Sequence, residues 1–349
     1  MPNISQEKIL VGLSGGVDSA VAALLLKEQG YQVEAAFMKN FSEAINLKGE
    51  CPWKEDRQMA YRVAAHLDIP IHTFNFEKEY EQKIVNYIFE SYQAGLTPNP
   101  DVLCNNEIKF KLFLEKALEM GFDKIATGHY AQVKEDEDGF HLLRGVDNNK
   151  DQSYFLAGLN QAQLSKAMFP IGNIAKPEVR KIAKQAKLPN ADRKDSQGIC
   201  FIGKVDLKTF LQQKIKPKTG DIVDTEGNKL GEHQGVWYYT IGQRKGLDLP
   251  GGPWYIVSKD IKDNKIVVGK SDSDELYTKD VQISDLHWLG KEYKLPLKAQ
   301  AQIRYRQTAQ DITLSANKAT FTKAQQGVAS GQVLAIYMGN ELVASANII

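Results

Sequence analysis

A buried strand that runs into a glycine turn and then into a helix constrains this chain more than any other feature. Lys8-Ile9-Leu10-Val11-Gly12-Leu13 is apolar at nearly consecutive positions, as a strand covered on both faces must be. Gly15 and Gly16 follow, and from Asp18 a helical pattern runs through Leu24, Leu25 and Leu26 to a stop at Gly30. The unit recurs downstream: strands are expected over 31–37, 71–76 and 124–126, and helices over 54–66, 80–92 and 107–120. Strands and helices alternating in this way predict an α/β domain, a parallel sheet covered by helices.

The texture changes further along. Residues 130–146 read as a hairpin around the acidic stretch 135–139, and helical segments return between Gln161 and Lys187. From about Thr219 short strands are broken by Gly, Asp and Asn, with no convincing helix. The expected division is a catalytic domain over 1–205, a small β-rich domain over 206–279 and a C-terminal β-barrel-like domain over 280–349.

Charge excludes little. Among 349 residues, 44 Lys and Arg face 43 Asp and Glu, so a polyanionic partner would have to be met by cations gathered on one face. Three cysteines make no disulfide framework in a chain of this length. The polar first ten residues lack the apolar core of a signal peptide, and no apolar run approaches the roughly 20 residues that span a bilayer. A soluble, cytoplasmic protein with no membrane contact is the expectation.

The loop Gly12-Leu13-Ser14-Gly15-Gly16-Val17-Asp18-Ser19 has anion-binding chemistry. Backbone N–H groups at a helix N-terminus point into such a loop, and the helix dipole favours negative charge there. Paired glycines let the backbone approach phosphate oxygens, Ser14 and Ser19 add hydroxyl donors, and Asp18 offers a ligand for Mg²⁺. The Gly-Lys-Ser/Thr ending of a Walker A sequence is missing, which points away from γ-phosphate transfer. A serine-capped glycine turn is the plain alternative, but Ser-Gly-Gly-Val-Asp-Ser after a buried strand favours a nucleotide. The run resembles the signature of the PP-loop ATP pyrophosphatases, which implies ATP cleaved to AMP and pyrophosphate, and a substrate oxygen activated by adenylation.

Two cysteines lie in polar surroundings. Cys104, in Asn99-Pro100-Asp101-Val102-Leu103-Cys104, is expected in a loop or helix start between two helices, where a thiol pKa falls. Asp101 is the acid/base candidate on the same stretch. Cys200, in Asp195-Ser196-Gln197-Gly198-Ile199-Cys200, follows the cations Arg193 and Lys194. One of the pair can carry sulfur as a persulfide while the other attacks or resolves a disulfide. Cys51 is left unassigned, and the absence of a Cys-x-x-Cys pair gives a zinc or iron–sulfur site little support.

Taken together, the motifs resemble the tRNA-specific 2-thiouridylases of the MnmA type. The matching stretches are 12–19, Glu55-Asp56-Arg57, GLTPNPDVLC at 95–104, Ile108-Lys109-Phe110, ATGHY at 126–130, KDQSYFL at 150–156, KDSQGICFIG at 194–203, YTIGQRKGL at 239–247, and 303–307. The resemblance implies 2-thiolation of the wobble uridine in tRNAs for Lys, Glu and Gln. It also implies sulfur delivered by a cysteine desulfurase or relay protein. In that scheme Cys200 carries the persulfide, Cys104 is the nucleophile that pairs with it transiently as a disulfide, and Asp101 is the acid/base group. ATP contacts are implied for 12–19, Met38 and Gly128, and base contacts for Asn99, Pro100 and Asp101. Contacts to the tRNA, at its anticodon stem-loop, are implied for His129, Lys150, Asp151, Gln152, Arg304, Tyr305 and Gln332. The C-terminus departs from the pattern: where the family closes with a glycine-rich strand, this chain reads Val343-Ala344-Ser345-Ala346-Asn347-Ile348-Ile349.

Overall fold

A computed structural model of the chain describes residues 7–42, 52–195 and 206–349. Ile9, Leu10 and Val11 are fully buried because β1 (Lys8–Gly12) is the central strand of a five-stranded sheet. The following strands are β2 (Gln32–Lys39), β3 (Ile71–Asn75), β4 (Lys124–Ala126), a hairpin of β5 (Ala131–Asp136) and β6 (Gly139–Arg144), and β7 (Ala167–Met168). Sheet order is β3-β2-β1-β4-β7, and every pairing in it is parallel. Ile9 and Val11 pack with α1 (Val17–Glu28), α2 (Pro52–His66) and the helix Lys176–Gln185, whereas Leu10 joins Phe110, Phe113 and Ala117 on the other face. Chain order reverses across β1, so the loops after β1 and β4 diverge and leave a crevice at the carboxyl edge. That is where open α/β sheets bind ligands.

The second module holds β8 (Gly220–Asp224), β9 (Lys229–His233), β10 (Tyr255–Asp260) and β11 (Lys265–Gly269), ordered β10-β11-β8-β9. The third is a barrel of β12 (Tyr277–Trp288), β13 (Leu297–Gln302), β14 (Gln310–Ser315), β15 (Lys318–Gln326), β16 (Val333–Met338) and β17 (Glu341–Ile348). Pairing of β12 with β17 closes it. The α/β fold with two β-rich modules is therefore as expected, and the chain's atypical C-terminus still forms the closing strand.

Four details differ from the sequence reading. Of the loop or helix start expected around Cys104, the structure takes the helix start, and the helix expected from Glu107 begins earlier: Pro100–Cys104, Asn105–Leu112 and Phe113–Glu119 follow one another without a break, the middle stretch wound with π-type hydrogen bonds. The Asn99 side chain accepts from the Val102 N–H at 3.3 Å and Pro100 takes the first turn, so the helix starts there and no breaker interrupts it. The polar run Asn105-Asn106-Glu107 masks that continuity in the sequence. Within the expected helical region, β7 adds a fifth strand too short to carry any periodicity. A helix at Leu207–Gln212, capped by Asp206, precedes the β modules. Met38 lies inside β2, not after it.

The expected hairpin is present, but its place was not legible. Through Leu142 and Leu143 it pairs with β17, which extends the barrel's sheet to eight strands. His141 Nδ1 lies 2.8 Å from Glu341 across that seam, and its Nε2 lies 2.7 Å from Asp136 within the hairpin. As a result Leu142, Tyr337 and Leu342 share one core with Leu10 and Phe110. Among the described residues, no helix is long and apolar enough to cross a membrane.

Candidate active site

The glycine loop is shaped from both sides. Gly15 has φ +77°, and a Cβ there would sit 2.5 Å from the Asp56 carbonyl oxygen. The Gly15 carbonyl accepts from Asn190 Nδ2 at 3.0 Å and Arg193 Nη1 at 3.1 Å, and the same guanidinium pairs with Asp56. Burial pushes the Asp56 carboxyl up, against the opposing pull of Arg193. Ser19 Oγ donates to the Gly16 carbonyl at 3.1 Å and accepts from the Ser14 N–H at 3.2 Å, while Ser14 Oγ accepts from the Gly16 N–H at 3.3 Å. At Gly128, after β4, a Cβ would meet Ser19 N at 2.6 Å, so only glycine lets this loop approach the start of α1 so closely. Met38 packs its methyl 3.2 Å from where a Gly12 Cβ would stand. Leu13 and Val17 are buried beneath the loop.

Asp18 is not idle. Lys176 Nζ donates to both of its oxygens at 2.7 and 2.9 Å, and the Tyr130 hydroxyl donates at 2.8 Å. Burial, and then the Asp18 charge, hold the Tyr130 phenol protonated. Lys176 also reaches Asp195 at 2.8 Å, which accepts from Lys150 at 2.7 Å and Arg180 at 2.6 Å. Burial raises the Asp195 pKa, but the hydrogen bonds and charges of Lys150 and Lys176 outweigh it and hold the carboxyl well below its usual range.

A second cluster lies where the barrel meets the start of the Pro100–Cys104 helix. Asn99 Nδ2 donates to Tyr154 Oη at 3.3 Å and to Gln332 Oε1 at 3.4 Å, and Gln332 Nε2 donates to the Thr97 and Pro98 carbonyls at 3.0 and 3.2 Å. The Tyr305 ring packs 4.3 Å from Phe155, and Arg304 donates to the Gln326 carbonyl. Asn105 Nδ2 donates to the Phe155 carbonyl at 3.1 Å. Cys104, next to Asn105, is fully buried among Tyr80, Ile84, Phe89 and Ile108. Asp101 lies in the first turn of its helix.

The segment 150–156 joins the two clusters. Lys150 holds Asp195, Gln152 Oε1 accepts from the Tyr130 N–H at 3.0 Å, and Tyr154 and Phe155 reach Asn99 and Asn105. Asp151 faces inward, accepting from Arg144 at 3.1 Å, from the Gly145 and Ser153 N–H groups at 2.9 and 3.1 Å, and from the Ser153 hydroxyl at 2.9 Å. His129 is buried between Phe110 and Phe169, its Nδ1 2.7 Å from Thr127 Oγ1; burial and then the Lys109 charge push its pKa well below 6.5, leaving it neutral. Cys200 and Cys51 fall outside the described residues, as does Lys194's downstream motif from residue 196 to 203.

The structure thus gathers 12–19, Gly128, Lys150 and Gln152 at one end, and Asn99, Tyr305 and Gln332 at the other. Sequence reasoning missed Tyr130, Tyr154, Phe155, Lys176 and Asn190 as individual site residues. Tyr130, Tyr154 and Phe155 stand inside the ATGHY and KDQSYFL motifs, but nothing in the sequence distinguishes Lys176 from a surface lysine. Among the described residues no cluster of three or more His, Cys, Asp or Glu side chains is arranged to hold a metal.

Fold and site together define an α/β HUP-type protein with a pyrophosphate loop at its switch point and two β modules attached. Residues 7–204 match a family model described as a tRNA methyl transferase HUP domain, 208–270 a PRC-barrel domain of the same series, and 278–348 an aminomethyltransferase β-barrel domain. The chain is 45% identical over 345 residues to a protein of Shouchella clausii named tRNA-specific 2-thiouridylase MnmA, covering 96% of this chain and 94% of that one. A protein of the same name from Levilactobacillus brevis is 45% identical over 361 residues, covering 99% and 96%. The chain belongs to the tRNA-specific 2-thiouridylase MnmA family.

Proposed function

We propose that this protein uses ATP to replace the 2-oxygen of the wobble uridine of tRNAs for Lys, Glu and Gln with sulfur. The observation that carries the reading is a pyrophosphate loop tied by residues 150–156 to a helix start that bears Asp101 and Cys104. The uridine oxygen attacks the α-phosphorus and pyrophosphate leaves with the electron pair of the broken bond. Sulfur then attacks C2, and AMP departs with the original oxygen. Methyl transfer, the word in the family description, needs no such loop, because a sulfonium methyl donor is already activated.

In this reading Gly12, Leu13, Ser14, Gly15, Gly16, Val17, Asp18, Ser19, Met38 and Gly128 hold ATP. Mg²⁺ would take Asp18 and phosphate oxygens, as a hard cation with few protein ligands does, and would neutralise charge on the departing group. The loop's build supports the fit: Gly15 and Gly128 have no room for a side chain, so the Asp56 segment and the loop after β4 close directly on the start of α1 and leave its backbone N–H groups set around the loop. Cys200 carries a persulfide from a cysteine desulfurase or relay protein. Its terminal sulfur attacks C2 directly and Cys104 then attacks the Cys200 sulfur, releasing the thiolated base, or Cys104 attacks first and releases sulfide that attacks C2; either route leaves a Cys104–Cys200 disulfide that a thiol reductant resets. Asn99, Pro100 and Asp101 meet the base, Asp101 moving the proton. Lys150, Gln152, Arg304, Tyr305 and Gln332 form the surface offered to the anticodon stem-loop, with Tyr305 suited to base stacking, while His129 and Asp151 are buried behind it. The domain division 1–205, 206–279 and 280–349 has the support of the matched segments, with the β5–β6 hairpin lent to the barrel. ATP, tRNA and reduced thiols place the reaction in the cytoplasm.

Mass spectrometry of nucleosides from tRNA incubated with protein, ATP, Mg²⁺ and a sulfur source tests the reading. It requires 2-thiouridine with AMP and pyrophosphate as nucleotide products. ADP as the main product, or thiolation unaffected in Cys104→Ser and Cys200→Ser, overturns it.

A further inference from the structure

A cavity of about 280 Å³ opens where the three modules meet, and no step of the proposed reaction uses it. The Gly95–Thr97 turn of the first module forms one side, Lys259 of β10 and Ile261 the second, and Glu275, Leu276 and Val328 the side nearest the barrel. The turn is pressed against the second module: Gly95 has φ +79°, and a Cβ there would lie 2.4 Å from Ile261 Cδ1. Leu96, Ile261, Leu276 and Val328 make the walls largely apolar. Two opposite charges line the same space without meeting. Lys259 Nζ donates to the Tyr239 carbonyl at 2.8 Å, which engages one of its three N–H donors. Among the described residues no carboxylate comes within the 4.0 Å of an ion pair, and burial, unopposed by any negative charge, pushes the Lys259 pKa down to about 8. Glu275 is exposed and likewise forms no ion pair with a described residue.

A simple anion drawn to Lys259 would meet Glu275, and a simple cation drawn to Glu275 would meet Lys259. A ligand that carries both signs on an apolar body satisfies all three parts of the lining. The volume stands at the lower end of the range for small-molecule pockets, about 300–1,000 Å³, which limits that ligand to a few atoms beyond its charged groups. We infer that this cavity binds a free α-amino acid with a branched aliphatic side chain, its carboxylate on Lys259 and its ammonium on Glu275. The side chain lies against Leu96, Ile261, Leu276 and Val328. Thr97 carries the joint onward, its N–H donating to the Ser330 carbonyl at 2.8 Å and its carbonyl accepting from Gln332 at 3.0 Å. An occupant therefore braces the stretch that leads to Asn99. The inference is independent of the nucleotide reading, and its failure leaves that reading untouched.

Ligand-observed NMR titration of the full chain tests this with three probes: L-leucine, 4-methylpentanoate, which lacks its ammonium, and 3-methylbutylamine, which lacks its carboxylate. For wild type a leucine Kd of about 0.1–1 mM is expected, as suits so small a ligand, with each analogue about tenfold weaker. Loss of a charge-assisted contact predicts leucine binding weakened about 10–100-fold in Lys259→Met, with 3-methylbutylamine within about threefold of wild type. Glu275→Gln should weaken leucine similarly and leave 4-methylpentanoate within about threefold. The analogue each variant keeps reports that its cavity is intact. The inference is overturned if wild type binds no leucine at about 10 mM, or binds either analogue as tightly as leucine. It is also overturned by leucine affinity within about twofold of wild type in both variants, or by equal losses of all three probes in each.

Discussion

Asp151 separates a structural role from a binding role. The family resemblance puts it against tRNA, yet its side chain is 8% exposed and both oxygens are engaged inside the protein. Replacing it with alanine strips Arg144, stacked 3.5 Å over the Tyr337 ring, of its carboxylate and orphans the Gly145 and Ser153 N–H groups. Breaking a buried ion pair from one side costs about 3–5 kcal/mol. Arg144 keeps 17% exposure and so stays partly solvated, which favours the lower end, about 3 kcal/mol. Asp151→Asn keeps one oxygen for the two backbone donors but turns an amide toward Arg144, for a smaller loss of about 1–3 kcal/mol. Urea denaturation followed by circular dichroism should rank wild type above Asn above Ala. Filter binding of tRNA, corrected for folded fraction, should change little. An Asp151→Asn protein with a wild-type midpoint and tRNA affinity down tenfold or more would refute this account.

Gly128→Ala forces a methyl to within 2.6 Å of Ser19 N, well inside ordinary contact, and overpacking of that kind costs about 1–3 kcal/mol. Thermal denaturation should show it, with Gly158→Ala, whose nearest neighbour is 3.4 Å away, near neutral; equal midpoints for both would show the β4 loop is not packed on α1. Cys104 is fully buried, so in a Cys51→Ser/Cys200→Ser background a thiol reagent should label native protein about 100-fold more slowly than urea-unfolded protein, an opening of about 3 kcal/mol. Equal rates would show the thiol is open to solvent. Hydrogen bonds that His141 donates to Glu341, and then to Asp136, raise its pKa above 6.5 in the folded state. The stability this gives the hairpin seam is therefore full below pH 6.5 and lost as pH rises through the folded value. Amide exchange of β5 and β6, corrected for intrinsic rates, should speed up across that window in wild type and not in His141→Gln.

How much the sequence disclosed depends on how local each signal is. β1 was legible because a doubly covered strand must be apolar at consecutive positions, and the phosphate loop because close backbone approach demands glycine in fixed order. The start of the Pro100–Cys104 helix was written in Asn99 and Pro100, but the polar residues after Cys104 hid its continuation. Lys176 meets Asp18 across 158 positions, and His141 of the hairpin meets Glu341 of β17 across 200; no local period encodes such pairings. Those contacts are set by tertiary packing, which the sequence expresses only through the whole fold.

The two clusters are held apart by a fixed span, and that span bears on the chemistry. In the proposed reaction adenylation falls on the uridine 2-oxygen and sulfur attack on the carbon that bears it, so the phosphate cradle and the Cys104 helix must keep one separation through both steps. Residues 150–156 set it with short bonds at each end: Gln152 to Tyr130, which in turn orients Asp18, and Tyr154 with Phe155 to Asn99 and Asn105. Asp151 pins the middle of the same stretch to β6 and, through Arg144, to the barrel. Its burial and its presence in a motif beside the substrate are then not in conflict. A shift of about 1 Å in such a strut misaligns the reacting groups and can lower the rate about 100-fold with no contact to substrate lost. Asp151→Asn should accordingly depress kcat more than it weakens tRNA binding.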